Sequence, residues 1–186
     1  NGTSANSDNQ QTNSGAVYVY KRTGTSWAQE AYIKAANNDM HDYFGKASIA
    51  LSGDTLAVGS DNEDSNQTTI TNGTSASSDD SASNSGAVYV YRRSGTTWAQ
   101  DAYIKSVNNE AVDQFGTHVT LDHDTLVVGA LYEDSNQSTN TNGTTASSDN
   151  SNLGSGAVYV YRRSGTTCAH AAYITAPNNY GSSSLN

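Results

Sequence analysis

The sequence predicts an all-β fold assembled from copies of a four-stranded antiparallel meander, each copy about 70 residues long. Three observations predict it. Ser14-Gly15-Ala16-Val17-Tyr18-Val19-Tyr20 returns at residues 85–91 and 155–161, at offsets of 71 and 70 residues, and a fixed period marks a structural repeat. Within one period, four short apolar segments recur, each bounded by Gly, Asn, Asp or Ser, as strands bounded by turns are. Residues 86–109 match residues 15–38 at 18 of 24 positions, with mild differences such as Lys21/Arg92 and Glu30/Asp101.

Segment a is Phe44-Gly45 through Leu51, matched by Phe115-Gly116 through Leu121. The first copy is one residue longer, and a β-bulge near Lys46-Ala47 absorbs the extra residue. Segment b is Asp54-Thr55-Leu56-Ala57-Val58-Gly59, matched at residues 124–129. A polar loop of more than 20 residues follows it. Segment c is Gly-Ala-Val-Tyr-Val-Tyr, in which Val88 and Val90 face one way and Ala87, Tyr89 and Tyr91 the other. Both faces carry strand formers, so both are expected to be covered. Segment d occupies residues 27–33, 98–104 and 168–174. Its Ala-Gln-Asp-Ala-Tyr-Ile also suits a helix, but the short Gly95-Thr96 turn after segment c favours a hairpin strand. The units are then a partial one over residues 1–38, full ones over 39–109 and 110–179, and a tail or the start of another over 180–186.

Composition narrows the function. Nine Lys+Arg against 18 Asp+Glu give a net charge of −9 over 186 residues, the wrong balance for neutralising nucleic-acid phosphates. No apolar run is long enough to span a membrane, so no membrane insertion is expected. The first residues lack the charged-then-apolar layout of a secretory signal, so the chain reads as mature or as a piece of something longer. Ser (26), Thr (21) and Asn (20) exceed a third of the chain. Such a composition resembles a disordered tract, but the regular placement of the apolar residues opposes that reading.

Phe-Gly, then Asp-Thr-Leu-x-Val-Gly, then Gly-Ala-Val-Tyr-Val-Tyr resembles the FG-GAP repeat of integrin-α-type β-propellers, above all the roughly 70-residue repeats of large secreted and surface proteins of microbes. The resemblance covers nearly the whole chain. It implies four-stranded antiparallel blades in a radial array, and an extracellular or cell-surface, non-enzymatic role in adhesion or surface structure. Family members of the integrin type hold calcium in an Asp-x-Asp-x-Asp-Gly loop between the first two strands of a blade. Here only Ser52-Gly53 precedes Asp54, and only Asp122-His123 precedes Asp124, so that metal site does not carry over. About two and a half blades are too few for a ring of four to eight. A fragment or an open array is expected, joining flanking blades or other copies of itself through open strand edges and blade faces.

The candidate chemistry lies in the long loops. Glu63, Asp64, Asn66, Asp79 and Asp80 in one copy, and Glu133, Asp134, Asn136 and Asp149 in the next, offer the oxygen ligands that calcium takes. The same residue types are also ordinary loop formers. Acceptor triplets for N-linked glycans stand at Asn1, Asn66, Asn72, Asn136 and Asn142, in a number chance alone supplies. Occupancy is expected only after eukaryotic secretion. No catalytic residues are assigned. His41, His118, His123 and His170 occupy non-equivalent positions and read as incidental surface residues. Cys168 stands where the other copies have Trp27 and Trp98, a core or interface position. The Tyr pairs read as packing between blades, with an aromatic platform for carbohydrate as the other reading. Beside the adhesion module stands a self-assembling fibre protomer, and a cell-surface protein or a glycan is the expected partner.

Overall fold

Strand-forming Val, Tyr, Thr and Ile fill the recurrent apolar segments, and each segment becomes a strand. In the computed structural model, which describes residues 10–179 and 181, β1 (Val17–Thr23) and β2 (Ser26–Ile33) form a hairpin. A five-stranded sheet follows, from β3 (Ile49–Ser52), β4 (Thr55–Ser60), β5 (Ile70–Asn72), β6 (Ala87–Ser94) and β7 (Thr97–Ile104), in the order β3-β4-β6-β7-β5. A second has the matching order β8-β9-β11-β12-β10, from β8 (Phe115–Asp122), β9 (Thr125–Ala130), β10 (Thr141–Asn142), β11 (Ala157–Ser164) and β12 (Thr167–Ile174). All pairings between these strands are antiparallel, one isolated bridge between Gly15 and Phe44 is parallel, and the described residues contain no helix. These are blades of a propeller-type repeat.

The long polar loop is more than a connection, because it travels to the far edge of its blade and adds a fifth strand. Ile70 pairs with Ile104 and Asn72 with Ala102, which closes the edge of β7. The Gln67 side-chain amide holds this course by donating to Thr71 Oγ1 and the Thr69 carbonyl, both at 2.8 Å. The sequence signal is a lone Ile70 in a polar stretch. Its counterpart is Asn140, and the second copy of the strand shrinks to two residues.

Segment d is a strand in all three copies, with a bulge that skips Glu30, Asp101 and Ala171 in turn. Segment a is irregular in both copies. In β8 the pairing jumps from Phe115 to His118, whereas in the longer copy regular pairing starts only at Ile49. There Gly45 N donates to the Gly59 carbonyl and Gly59 N to the Ser48 carbonyl, both at 2.9 Å, so the extra residue falls between Gly45 and Ser48, around Lys46-Ala47.

The core lies between blades. One cluster joins Val17, Ala31 and Ile33 of the hairpin to Phe44, Tyr89, Tyr91 and Trp98 of the middle blade. The other joins Val88, Val90 and Ile104 to Phe115, Val128, Tyr159 and Tyr161 of the last blade. Alternation along β6 therefore feeds two interfaces, with Val88 and Val90 in one and Tyr89 and Tyr91 in the other.

The Phe-Gly motif locks each interface. Phe115 N donates to the Ser85 carbonyl of the preceding blade at 2.9 Å, while its ring stands edge-on to Tyr159 and Tyr161 of its own blade, at 5.3 and 6.1 Å. Phe44 repeats this with Ser14, Tyr89 and Tyr91. Gly86 permits the approach: a Cβ there would lie 2.1 Å from the Phe115 carbonyl oxygen, and its φ is +84°.

Candidate functional site

Loop carboxylates are the first candidates, and the fold uses most of them on its own backbone. Asp79 Oδ2 accepts from Asn66 N at 2.8 Å and from Ser81 Oγ at 3.0 Å, bonds that hold its carboxyl below the ordinary range. Asp64 Oδ1 accepts from Asn84 N at 2.6 Å, and Asp134 Oδ1 from Gly154 N at 2.6 Å. Asp149 Oδ1 accepts from Ser151 N at 2.8 Å. Asp80 is exposed, as are Asn66 and Asn136. Among the described residues, no three or more His, Cys, Asp or Glu side chains converge as a metal ion requires. Of the glycan acceptors, Asn66, Asn72, Asn136 and Asn142 are exposed, and Asn1 lies outside the described residues. Asn72 Oδ1 also accepts from Cys168 N of the next blade at 2.8 Å.

Glu63 has a different role from its loop neighbours. It is buried, with its carboxylate 2.7 Å from the fully buried ammonium of Lys105 at the end of β7. Tyr103 donates its hydroxyl to Glu63 Oε1 at 2.7 Å, Ser65 N donates to Oε2 at 3.2 Å, and Asn37 of the preceding hairpin donates to Oε1 at 3.0 Å. Asn37 Oδ1 in turn accepts from Tyr89 at 2.5 Å. The network therefore ties one blade to the next. Asp42 is buried nearby, and burial first, then the charge of Glu63, pushes its carboxyl up to about 7. Asp113 is its counterpart, pushed up to about 7 by burial and by Glu133. Sequence reading placed Glu63 among surface ligands; the signal it lacked was the repeated Ile-Lys ending of segment d, which supplies the counterion.

One expectation needs correction: His170 is buried, not a surface residue. It takes the position of Gln100 and packs at steep ring angles against Tyr159 and Tyr161, at centroid distances of 5.9 and 5.3 Å, where burial lowers its pKa. His41, His118 and His123 are exposed. Cys168 is buried in the last interface, and burial, with Asp101 and Asp124 nearby, pushes its thiol up to about 11, away from nucleophilic use.

The two end faces are the remaining candidate. Trp98 is 2% exposed and Tyr89 and Tyr91 are buried, whereas their counterparts Trp27, Tyr18 and Tyr20 are 67%, 48% and 54% exposed. At the other end, Val158 is exposed where its counterpart Val88 is buried, and Leu131 is exposed as well. A groove of about 890 Å³ there runs along Val127, Ala130, Leu131, Val158 and Ile174. One end shows the aromatic half of the interblade contact and the other end its aliphatic half.

A family model of the FG-GAP repeat matches residues 27–91 and 98–161. A search of curated proteins finds no match. Each matched span runs from segment d of one blade through segment c of the next, so it contains one Phe-Gly pair and the two tyrosines its ring meets. With two repeats matched over more than half of its length, the chain belongs to the FG-GAP repeat family.

Proposed function

We propose that this chain is a non-enzymatic, extracellular or cell-surface repeat module for adhesion or surface structure, and that it works by presenting blade faces and long acidic loops. The observation that carries this reading is the exposed aromatic end face of Tyr18, Tyr20 and Trp27, in the positions that every internal interface buries. Large exposed apolar patches on soluble proteins mark contact surfaces. FG-GAP repeats are typically non-catalytic binding modules of extracellular or surface proteins, and no helix of the described residues is long and apolar enough to cross a membrane. The occupants of the end faces are flanking blades of the same architecture, with cell-surface proteins or glycans meeting the loops. Beads coated with the chain should attach to cells or to glycan surfaces, and attachment equal to that of uncoated beads overturns the adhesion role.

A self-assembling fibre is the second reading, favoured by the complementarity of the two end faces. Head-to-tail contacts of this type build open filaments when the rotation does not close. Long filaments in micrographs support it, and a discrete monomer by light scattering at high concentration removes it. Calcium at the loop carboxylates is also a proposal. A lower melting temperature after chelation supports it, and identical melting with and without chelator withdraws it.

A further inference from the structure

The two full blades differ at one buried position whose chemistry is consequential. In the middle blade, Lys105 Nζ lies 2.7 Å from Glu63 Oε2 and 2.7 Å from Ser85 Oγ. The hairpin repeats half of this arrangement, with Lys34 Nζ 2.6 Å from Ser14 Oγ and 2.6 Å from the Gly15 carbonyl. The last blade keeps the glutamate as Glu133, the serine as Ser155 and the tyrosine as Tyr173, but has Thr175 where the lysine should stand.

Around Glu133 the remaining contacts survive. Asn108 donates to Oε1 at 2.9 Å and Ser135 N to Oε2 at 3.0 Å. What is lost is the positive charge. Glu133 is 1% exposed, Tyr173 is fully buried and Thr175 is 5% exposed; the Tyr173 hydroxyl bonds to Glu133 as Tyr103 does to Glu63, and Thr175 Oγ1 has no hydrogen-bond partner. Ser155 Oγ donates to the Glu133 and Ser135 carbonyls at 3.1 and 2.8 Å and keeps its lone pairs for a cation, as Ser85 does for Lys105. The other charges near Glu133 are Asp113 and Asp134, both acidic, which makes a lone buried carboxylate costlier still.

We propose that the last blade binds a potassium-sized monovalent cation in place of the lysine ammonium, held by Glu133 and Ser155 in the space that the shorter Thr175 leaves, with the unpartnered Thr175 Oγ1 beside it. An ammonium group and a potassium ion have nearly the same radius, and both are satisfied by hydroxyl and carboxylate oxygens at the spacing seen around Lys105. Two hydroxyls and one carboxylate match a single positive charge; a divalent ion calls for more anionic ligands. Access is open, because Ser155 and Thr175 both line the groove on the exposed face of this blade. Burial raises the Glu133 carboxyl, the direction expected of a carboxylate that lacks its counterion.

The test is thermal unfolding of the whole chain in potassium chloride and in choline chloride at equal ionic strength. Potassium should raise the melting temperature by about 2–4 °C, through preferential binding to the native state. Thr175→Lys should reproduce the middle blade, melt higher in choline chloride and no longer respond to potassium. Lys105→Thr should create a second potassium-dependent blade and enlarge the response. Should that variant fail to fold, thallium-soaked crystals of the unaltered chain decide the matter by an anomalous peak beside Glu133. Equal melting in both salts, a Thr175→Lys variant that still responds to potassium, or no peak beside Glu133 overturns the proposal and leaves Glu133 as a protonated, uncharged acid.

Discussion

Glu30, the bulged residue of β2, accepts a hydrogen bond at 3.1 Å from the indole nitrogen of Trp98 in the next blade, with Arg93 3.4 Å away on the same carboxylate. The bulge is what brings this side chain across the interface, and both Glu30 and Trp98 are buried. Glu30→Ala leaves a buried indole N–H without an acceptor and should cost about 2–3 kcal/mol, read by urea denaturation. Glu30→Gln keeps an acceptor and should cost less. Equal losses for the two variants would mean that Glu30 acts through charge alone.

Close backbone approach at Gly86 predicts a position-specific penalty. Gly86→Ala drives a methyl into the Phe115 carbonyl, whereas at Gly156 the nearest atoms are the Leu131 and Ala130 carbonyl oxygens at 3.4 and 3.6 Å. Both residues have positive φ, so both substitutions carry backbone strain of about 1 kcal/mol. Gly86→Ala should lose several kcal/mol more by prising two blades apart, and calorimetry of the two variants measures the difference.

Removing the buried lysine isolates its partner. Lys105→Met leaves Glu63 buried without a counterion and should destabilise the chain by about 3–5 kcal/mol. Adding Glu63→Gln should recover much of that loss. Chemical denaturation of both variants checks it, and a double variant no better than the single one contradicts the pairing.

Stability should fall from acidic toward neutral solution. Asp42 and Asp113 titrate near 7 in the folded chain against an ordinary value of 3.8, so the native state holds protons that the unfolded state releases. Their contribution is complete below the ordinary value and is lost as pH rises through about 7. His170 acts in the opposite sense: its folded pKa lies below the ordinary 6.5, so stability falls as pH drops under that value. The two carboxyls should therefore lower the melting temperature between about pH 4 and 7, Asp42→Asn with Asp113→Asn should flatten that fall, and His170→Gln should remove the opposing contribution below 6.5.

The strands and their repeat were legible because alternation along residues 87–91 and the Gly-Thr turn are local signals, and burial of both faces followed from them. The fifth strand was not, since Ile70 is one apolar residue in a polar loop and its pairing with Ile104 is made by tertiary position. The loop acids were legible as acids but not as partners. Nothing local distinguishes Glu63, which is buried against Lys105, from Asp80, which faces water. His170 was misread for the same reason, because its burial comes from the aromatic pair on the neighbouring strand β11.

Sedimentation of end-blocked variants tests the proposal that the two end faces act as halves of one blade-to-blade interface. The unaltered chain should associate as its concentration rises, through Tyr18, Tyr20 and Trp27 at one end and the Val158 face at the other. Trp27→Lys and Val158→Lys should each be monomeric alone, yet mixed together they should form a discrete dimer, because each retains the end the other has lost. A chain that stays monomeric at every concentration, or two variants that remain monomers when mixed, would contradict it.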